Sequence, residues 1–312
     1  LDDLSLGVLI AGPDRKLTFA NSGFTRLTGF SVDEVMGQNC SLLQGPETDP
    51  DTIDRISRCT ENGDCFDGDV LNYRKDGTPF WNGLIISPTH DRNGEITGFF
   101  SIQRDISKRK RVESILNWEL EAMTLIAGSN KLDAVLDRLM AGLEEQMPGA
   151  LCSVLLLENG ERLRHGAAPS LPAAYNQAID GVAIGTRRGS CGTAAHFNRQ
   201  IIVSDIATDP LWAEFHEIAR EYDLHACWST PIRGKEGKPL GTFAIYYREP
   251  REPTTEELAL IARVTPMTGI AIERKNDEEV RRENEEKYRT KVDGLEVLGQ
   301  VRADPRFQGL PI

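Results

Sequence analysis

Nine residues, GQNCSLLQG at Gly37–Gly45, place one thiol, Cys40, among two carboxamides, Asn39 and Gln44, with a glycine at either end. The ordinary expectation for a single cysteine is an inert buried thiol. What the whole stretch resembles, rather than the thiol alone, decides whether that expectation holds for Cys40. Three further carboxamides, Asn72, Asn82 and Gln103, fall on stretches that read as strands. Taken singly, each would be expected to face solvent or cap a turn. Buried together in a small apolar pocket they are costly unless each is hydrogen-bonded, and an amide can serve both a donor and an acceptor.

The elements that must position these residues are legible around them. GVLIAG and KLTFAN read as two strands joined at Pro13-Asp14. Asn21 or Ser22 can cap the helix that follows, and Ser31 three residues before Glu34 is a capping-box pattern. DPDTIDRISRCTENG is the longest helical signal of this half, with Ile53 and Ile56 on one face and Asn62-Gly63 as its end. Three strands follow, turning at Asp76-Gly77 and Asn93-Gly94.

Residues 1–106 resemble a LOV domain, the flavin-binding, blue-light-sensing branch of the PAS family. The family pattern Gly-x-Asn-Cys-Arg-Phe-Leu-Gln-Gly is kept except at Ser41 and Leu42, and LNYRKDGTPFWN and the closing DIS extend the match. The resemblance implies an α+β fold, an antiparallel five-stranded sheet with helices on one face. It implies that Cys40 is the photochemical nucleophile, bonding reversibly to flavin C4a after excitation, with Asn39 and Gln44 at the ribityl chain and ring. Asn72 and Asn82 would hold the pyrimidine edge. Gln103 would face N5 and O4 and turn its amide when N5 gains a proton. Two arginines commonly hold the FMN phosphate in this family; here Ser41 and Ser57 stand at those places. Arg55 and Arg58 are the nearby candidates for that role. FMN is the expected cofactor, with riboflavin or partial loading as the alternative.

Residues 107–121 read as a linker helix, part of a helical run reaching about residue 127 in which Leu116, Leu120, Met123 and Ala127 make a short coiled-coil seam. The basic cluster Lys108 to Arg111 reads as a solvated face. Residues 122–275 resemble a GAF domain through GSCGTAA, VSDIATDPLW, CWSTPI and LGTFAIYY, which implies an α/β sandwich. Pro266 is expected to kink its last helix. Cys191, His196, His225 and Cys227 match no metal-ligand spacing, so no metal is expected and the ligand of this domain, if any, stays open. Residues 276–291 read as a charged signalling helix, and 292–312 resemble part of a response-regulator receiver domain.

A net charge of -12 argues against a general nucleic-acid surface. No run of eighteen apolar residues marks a membrane span, and no signal peptide is visible. Six cysteines without a CxxC fit free thiols in a cytoplasmic protein. No nucleotide loop or carboxylate cluster gives this stretch an enzyme chemistry of its own. The expected function is a blue-light sensor module, a parallel homodimer relaying its signal through the connector to a C-terminal output, a histidine kinase. The alternatives are the sensor of a cyclic-di-GMP synthase or phosphodiesterase, and a non-photochemical ligand-binding PAS–GAF scaffold. A flavoenzyme with Cys40 as a redox thiol is the rival class, and it lacks any substrate or nicotinamide motif.

Overall fold

The computed structural model describes residues 6–128 and 131–303, with side chains described as far as residue 287. The chain divides into two compact units between Asn117 and Trp118.

The first unit opens with strands β1 (Gly7–Ala11) and β2 (Leu17–Ala20), then helices α1 (Ser22–Thr28) and α2 (Val32–Val35). Asn21 caps α1, its Oδ1 accepting from Phe24 N, and Ser31 with Glu34 forms the expected capping box on α2. A 3-10 turn, Cys40–Leu43, leads to α3 (Pro50–Asn62), which starts on an Asp49 cap and ends at Gly63 in the left-handed conformation. Strands β3 (Phe66–Tyr73), β4 (Pro79–His90) and β5 (Ile96–Asp105) complete an antiparallel sheet in the order β2-β1-β5-β4-β3. The last strand therefore lies in the middle, between the first and fourth. Five antiparallel strands with helices are as the sequence led one to expect. A core of Leu9, Leu17, Ala20, Phe24, Val35 and Leu43 ties the helices to one side of the sheet. Helix α3 is amphipathic yet has no fully buried residue, because Ile53 and Ile56 look into a cavity rather than onto another element.

Helix α4 (Ser107–Ala127) begins where β5 ends and runs across the division between units. In its first turns Arg109 and Lys110 pair with Asp69 of β3 at 3.1 and 2.6 Å, so two members of the basic cluster have carboxylate partners. Beyond Asn117, Trp118, Ala122 and Ile126 are buried in the second unit. The seam residues Leu116, Leu120 and Met123 are 52, 68 and 43 % exposed.

The second unit continues with α5 (Leu132–Gln146), β6 (Leu151–Glu158), β7 (Arg162–Ala167), α6 (Ala173–Ile179), β8 (Val182–Ala183), α7 (Gly189–Phe197), β9 (Ile201–Val203), α8 (His216–Glu221), β10 (Ala226–Arg233), β11 (Pro239–Tyr247) and α9 (Thr255–Ala303). Its six strands are ordered β8-β7-β6-β11-β10-β9. The sheet packs α5 and α9 at one face, through Val135, Leu136, Leu139 and Leu143 of α5, and α7 at the other. Helix α9 opens on a reciprocal cap: Thr254 Oγ1 accepts from Glu257 N, and Glu257 Oε2 from Thr254 N. The helix continues past Pro266. A proline deletes one helical bond, here to the Ala262 carbonyl, while Thr265 and Thr268 keep their side-chain bonds to Ile261 O and Val264 O. The backbone of 276–303 extends this same helix; residues 304–312, the rest of the receiver-like stretch, lie outside the described residues.

Gly142 of α5 lies under the indole of Trp118, where a β-carbon would come 1.9 Å from Nε1. Alanine is favoured over glycine inside a helix by ~1 kcal/mol, but overpacking a filled core costs ~1–3 kcal/mol. Gly142→Ala is therefore expected to lower the urea midpoint of unfolding. A raised midpoint would show that Trp118 does not dock there.

Candidate functional site

The first unit encloses a cavity of about 250 Å³ between its sheet and α3. Leu9, Leu17, Leu43, Ile53, Ile56, Val70, Leu84, Ile86 and Phe99 are among its apolar walls. Most of its carboxamide and thiol lining comes from two places. Asn39, Cys40, Ser41 and Gln44 come from the 3-10 turn and its flanks, and Asn72, Ser101 and Gln103 come from the sheet.

Local chemistry shapes the turn that carries Cys40. Asn39 Oδ1 accepts from Ser41 N at 3.0 Å and so starts the 3-10 turn as well as lining the cavity. Gly37 has φ +75, which suits glycine. Gly45 is required by space: a β-carbon there would stand 2.2 Å from the ring of Tyr73. That close approach is tied down by Thr48, whose Oγ1 donates to Leu71 O at 2.7 Å and accepts from Gly45 N at 3.0 Å. The segment bearing the thiol is thus fastened to β3, the strand that carries Asn72.

The sheet amides form a chain. Asn82 is wholly buried; its Nδ2 donates to Asn72 Oδ1 at 2.9 Å and its Oδ1 accepts from Arg104 N at 3.2 Å. Asn72 reaches the cavity, whereas Asn82 stands behind it and orients it. Gln103 is 1 % exposed, lines the cavity, and its Oε1 has no hydrogen-bond partner among the described residues. An amide buried in that way calls for a hydrogen-bond partner from whatever fills the space, and a carboxamide can turn to present either its oxygen or its N–H groups.

Five of the six sequence-derived amide and thiol positions, Asn39, Cys40, Gln44, Asn72 and Gln103, therefore meet at one cavity. Arg55 and Arg58 do not line it. The Arg55 guanidinium lies 5.0 Å over the Phe66 ring and within 3.5 Å of Asp67 O, and Arg58 Nε turns back to Asp54 O. Ser41 and Ser57 do line it, with Thr60 and with Arg15, the charged residue of the lining. Arg15 has φ +63 and contacts Thr60 Oγ1 at 3.3 Å and Glu61 at 3.7 Å. It sits in the β1–β2 turn, some forty residues before α3, and turn composition alone does not say which way such a side chain points.

The exit from the site is built on the same strand. Two residues past Gln103, Asp105 accepts from Ser107 N at 2.8 Å and pairs with Arg74 at 2.5 Å. Burial would raise the Asp105 carboxyl, but the bonds to Ser107 and Arg74 outweigh it and hold the group below its ordinary range. Trp81 closes the junction, accepting from Ile106 N through its carbonyl and donating from its N–H to Ser107 Oγ.

The family models for a PAS domain and a GAF domain match residues 5–108 and 129–273. The chain is 36 % identical over 252 residues to the methyl sulfide methyltransferase-associated sensor of Methanosarcina acetivorans, covering 79 % of this chain and 25 % of that protein. It is 45 % identical over 96 residues to phototropin-1A of Oryza sativa, covering 31 % of this chain and 10 % of phototropin. It is 35 % identical over 180 residues to a blue-light-activated histidine kinase of Brucella anthropi, covering 56 % of this chain and 36 % of the kinase. The chain thus spans between a tenth and about a third of the length of these relatives. No helix among the described residues is long and apolar enough to cross a membrane.

Burial pushes the Cys40 thiol up to about 11. At pH 8 its thiolate fraction should therefore lie about a hundredfold below that of an ordinary cysteine, since each unit of pKa is a factor of ten. Alkylation by iodoacetamide in the dark is expected to label exposed Cys65 first and Cys40 far more slowly. Equal rates at the two would refute a desolvated thiol.

Proposed function

For a chain in which a LOV-like PAS domain precedes a GAF domain, we propose that the first domain is a flavin-binding blue-light sensor and that Cys40 is its photochemical nucleophile. The observation that carries this reading is the meeting of Cys40 with the partnerless amide oxygen of Gln103 at one apolar cavity. The phototropin and blue-light kinase relatives support it.

The lining fits a flavin. Apolar walls suit a tricyclic ring, and Gln103 Oε1 and the Asn72 amide suit its alternating donors and acceptors. When bound, a flavin supplies a carbon that becomes electrophilic and a nitrogen that becomes basic on absorbing blue light. Cys40 holds its proton in the dark because burial disfavours the thiolate. On illumination it gives up that proton and its Sγ forms the reversible covalent bond. Gln103 then faces a donor where an acceptor stood and turns its carboxamide. Asn82, fixed to Arg104 N beside it, keeps the neighbouring strands in register while that happens. Asp105 and Ser107 carry the change into α4.

Arg15, with Ser41, Ser57 and Thr60, is the group placed to meet a flavin phosphate, so FMN is the proposed cofactor. The proposed assembly is a parallel dimer along the exposed stripe Val112, Leu116, Leu120 and Met123 of α4. The proposed output is a histidine kinase C-terminal to this stretch, in the cytoplasm.

The purified protein is expected to be yellow, to bleach under blue light and to recover in darkness. Cys40→Ala should keep the flavin and lose the bleaching; a variant that still bleaches reversibly would assign the nucleophile elsewhere. Gln103→Leu should still bleach, yet lose most of the light-induced change in spacing between spin labels on the paired α4 helices. One or two hydrogen bonds are worth only ~0.5–1.5 kcal/mol each, enough to bias a poised helix pair but not to melt a domain.

Chromatography of the released chromophore should show FMN, with riboflavin rising when Arg15 is replaced by alanine. An unchanged ratio in Arg15→Ala would remove Arg15 from the phosphate site.

A further inference from the structure

We propose that Cys191 and Cys227, buried together beneath α7 in the second unit, form a dithiol site that small hydroperoxides oxidise reversibly to a disulfide. The two lie 36 positions apart in sequence and are joined by tertiary packing. Cys191 is the third residue of α7 and Cys227 is on β10, whose register partner on β11 is Tyr246. Their contact is pinned on both sides. Ser190 Oγ donates to Cys227 O at 3.1 Å and accepts from Trp212 Nε1 at 2.9 Å. Cys191 Sγ lies 3.8 Å from the hydroxyl of Tyr246, the cross-strand neighbour of Cys227, and both cysteines belong to one buried cluster.

The surroundings are built for a sulfur anion. Ser229 and Thr242, fully buried, lie on the same face of the sheet as Cys227 and Tyr246, and their hydroxyl oxygens have no hydrogen-bond partner among the described residues. Partnerless buried hydroxyls are rare because each forfeits its bonds to water. A neutral thiol is a weak acceptor and satisfies them poorly; a thiolate can accept from the Cys227 thiol, Ser229, Tyr246 and Thr242 at once. Those donors, the Cys227 thiol first among them, bring Cys191 down to about 7 against the opposing effect of burial. Cys152 is the control within the same domain: it is as deeply buried, lacks such donors, and is driven well above its ordinary value by desolvation.

Access sets the class of oxidant. A cavity of about 30 Å³, lined by Tyr175, Arg188, Ser190, Trp212 and Phe215, reaches Cys191. That admits a molecule close to the size of water and excludes an aromatic cofactor. Hydrogen peroxide fits. The Cys191 thiolate attacks one peroxide oxygen, the O–O bond breaks, and hydroxide leaves, taking a proton to become water. Cys191 is then a sulfenic acid. The Cys227 sulfur displaces its hydroxyl, forming the S–S bond, and the Cys227 proton leaves with that hydroxyl as a second water. Two thiols are oxidised by two electrons and one peroxide is reduced to two waters.

The test uses the whole, folded chain. Reduced protein is exposed to hydrogen peroxide, remaining thiols are blocked under denaturing conditions, and peptides are read by mass spectrometry. The expected product is a peptide pair linked through Cys191 and Cys227, two hydrogens lighter than the dithiol form and restored by dithiothreitol. It should appear at least about tenfold faster than any oxidation of Cys152, in line with their thiolate fractions. If Cys191 and Cys227 stay reduced at a dose that oxidises exposed Cys65, or if Cys191 links to another cysteine, the proposal is overturned. In Cys227→Ser the sulfenic acid should persist on Cys191 and be trapped by a 1,3-dione; a folded variant that traps nothing also overturns it. Should that variant fail to fold, the linked peptide in the unaltered chain decides.

Discussion

A carboxamide taken out of water must find partners inside the protein or in its ligand, and the first domain is arranged around three that have been taken out of water. Asn72, Asn82 and Gln103 sit on β3, β4 and β5, three consecutive antiparallel strands that lie side by side in the sheet. Asn82 uses its amide within the protein, on Asn72 and on Arg104 N. That leaves Asn72 oriented and Gln103 with an oxygen that no described residue satisfies. The opposite wall delivers the thiol. It is held by glycine at position 45, the one residue thin enough to lie against Tyr73, and by the Thr48 bridge to β3. The Cys40 thiol and the sheet amides are therefore fixed to the same sheet.

The same arrangement explains how a small chemical change can leave the site. Gln103 precedes the strand-to-helix junction by two residues, and that junction is heavily tied. Asp105 serves as both cap of α4 and partner of Arg74, and Trp81 bonds to Ile106 and Ser107. The start of α4 is thus tied to three elements of the sheet, and Leu116, Leu120 and Met123 further along it are exposed.

The second domain divides its sheet differently. The face toward α5 and α9 carries Val154, Trp228, Ile232, Phe243 and Ile245. The face toward α7 carries Ser153, Ser229 and Thr242 with Cys227 and Tyr246, and Cys191 of α7 packs against it. Polar groups are expensive in such a place, and the arrangement is intelligible where one of them carries charge. Light at Cys40 and oxidant at Cys191 would then be two inputs to one chain, the one sulfur kept neutral by an apolar cavity and the other made acidic by donors.

Local signals in the sequence were enough to mark the caps of α1 and α2, the end of α3 and the hairpin turns, since those depend on residues within four positions of one another. The alternation of strands and the GQNCSLLQG stretch likewise carried the fold of the first domain and the thiol and amides gathered at its cavity. What sequence spacing could not decide was direction. Arg55 and Arg58 neighbour Ser57 along α3, yet they turn to Asp67 and Asp54, while Arg15 arrives at the cavity from a turn far away in the chain. Pro266 was expected to kink the last helix, and α9 runs through that position. The pairing of Cys191 with Cys227 has no local signature either, since it exists only after α7 has packed across β10. Periodicity and capping are properties of neighbours in the chain; which side chains share a cavity is set by strand order and by the side of a helix that the packed core leaves free.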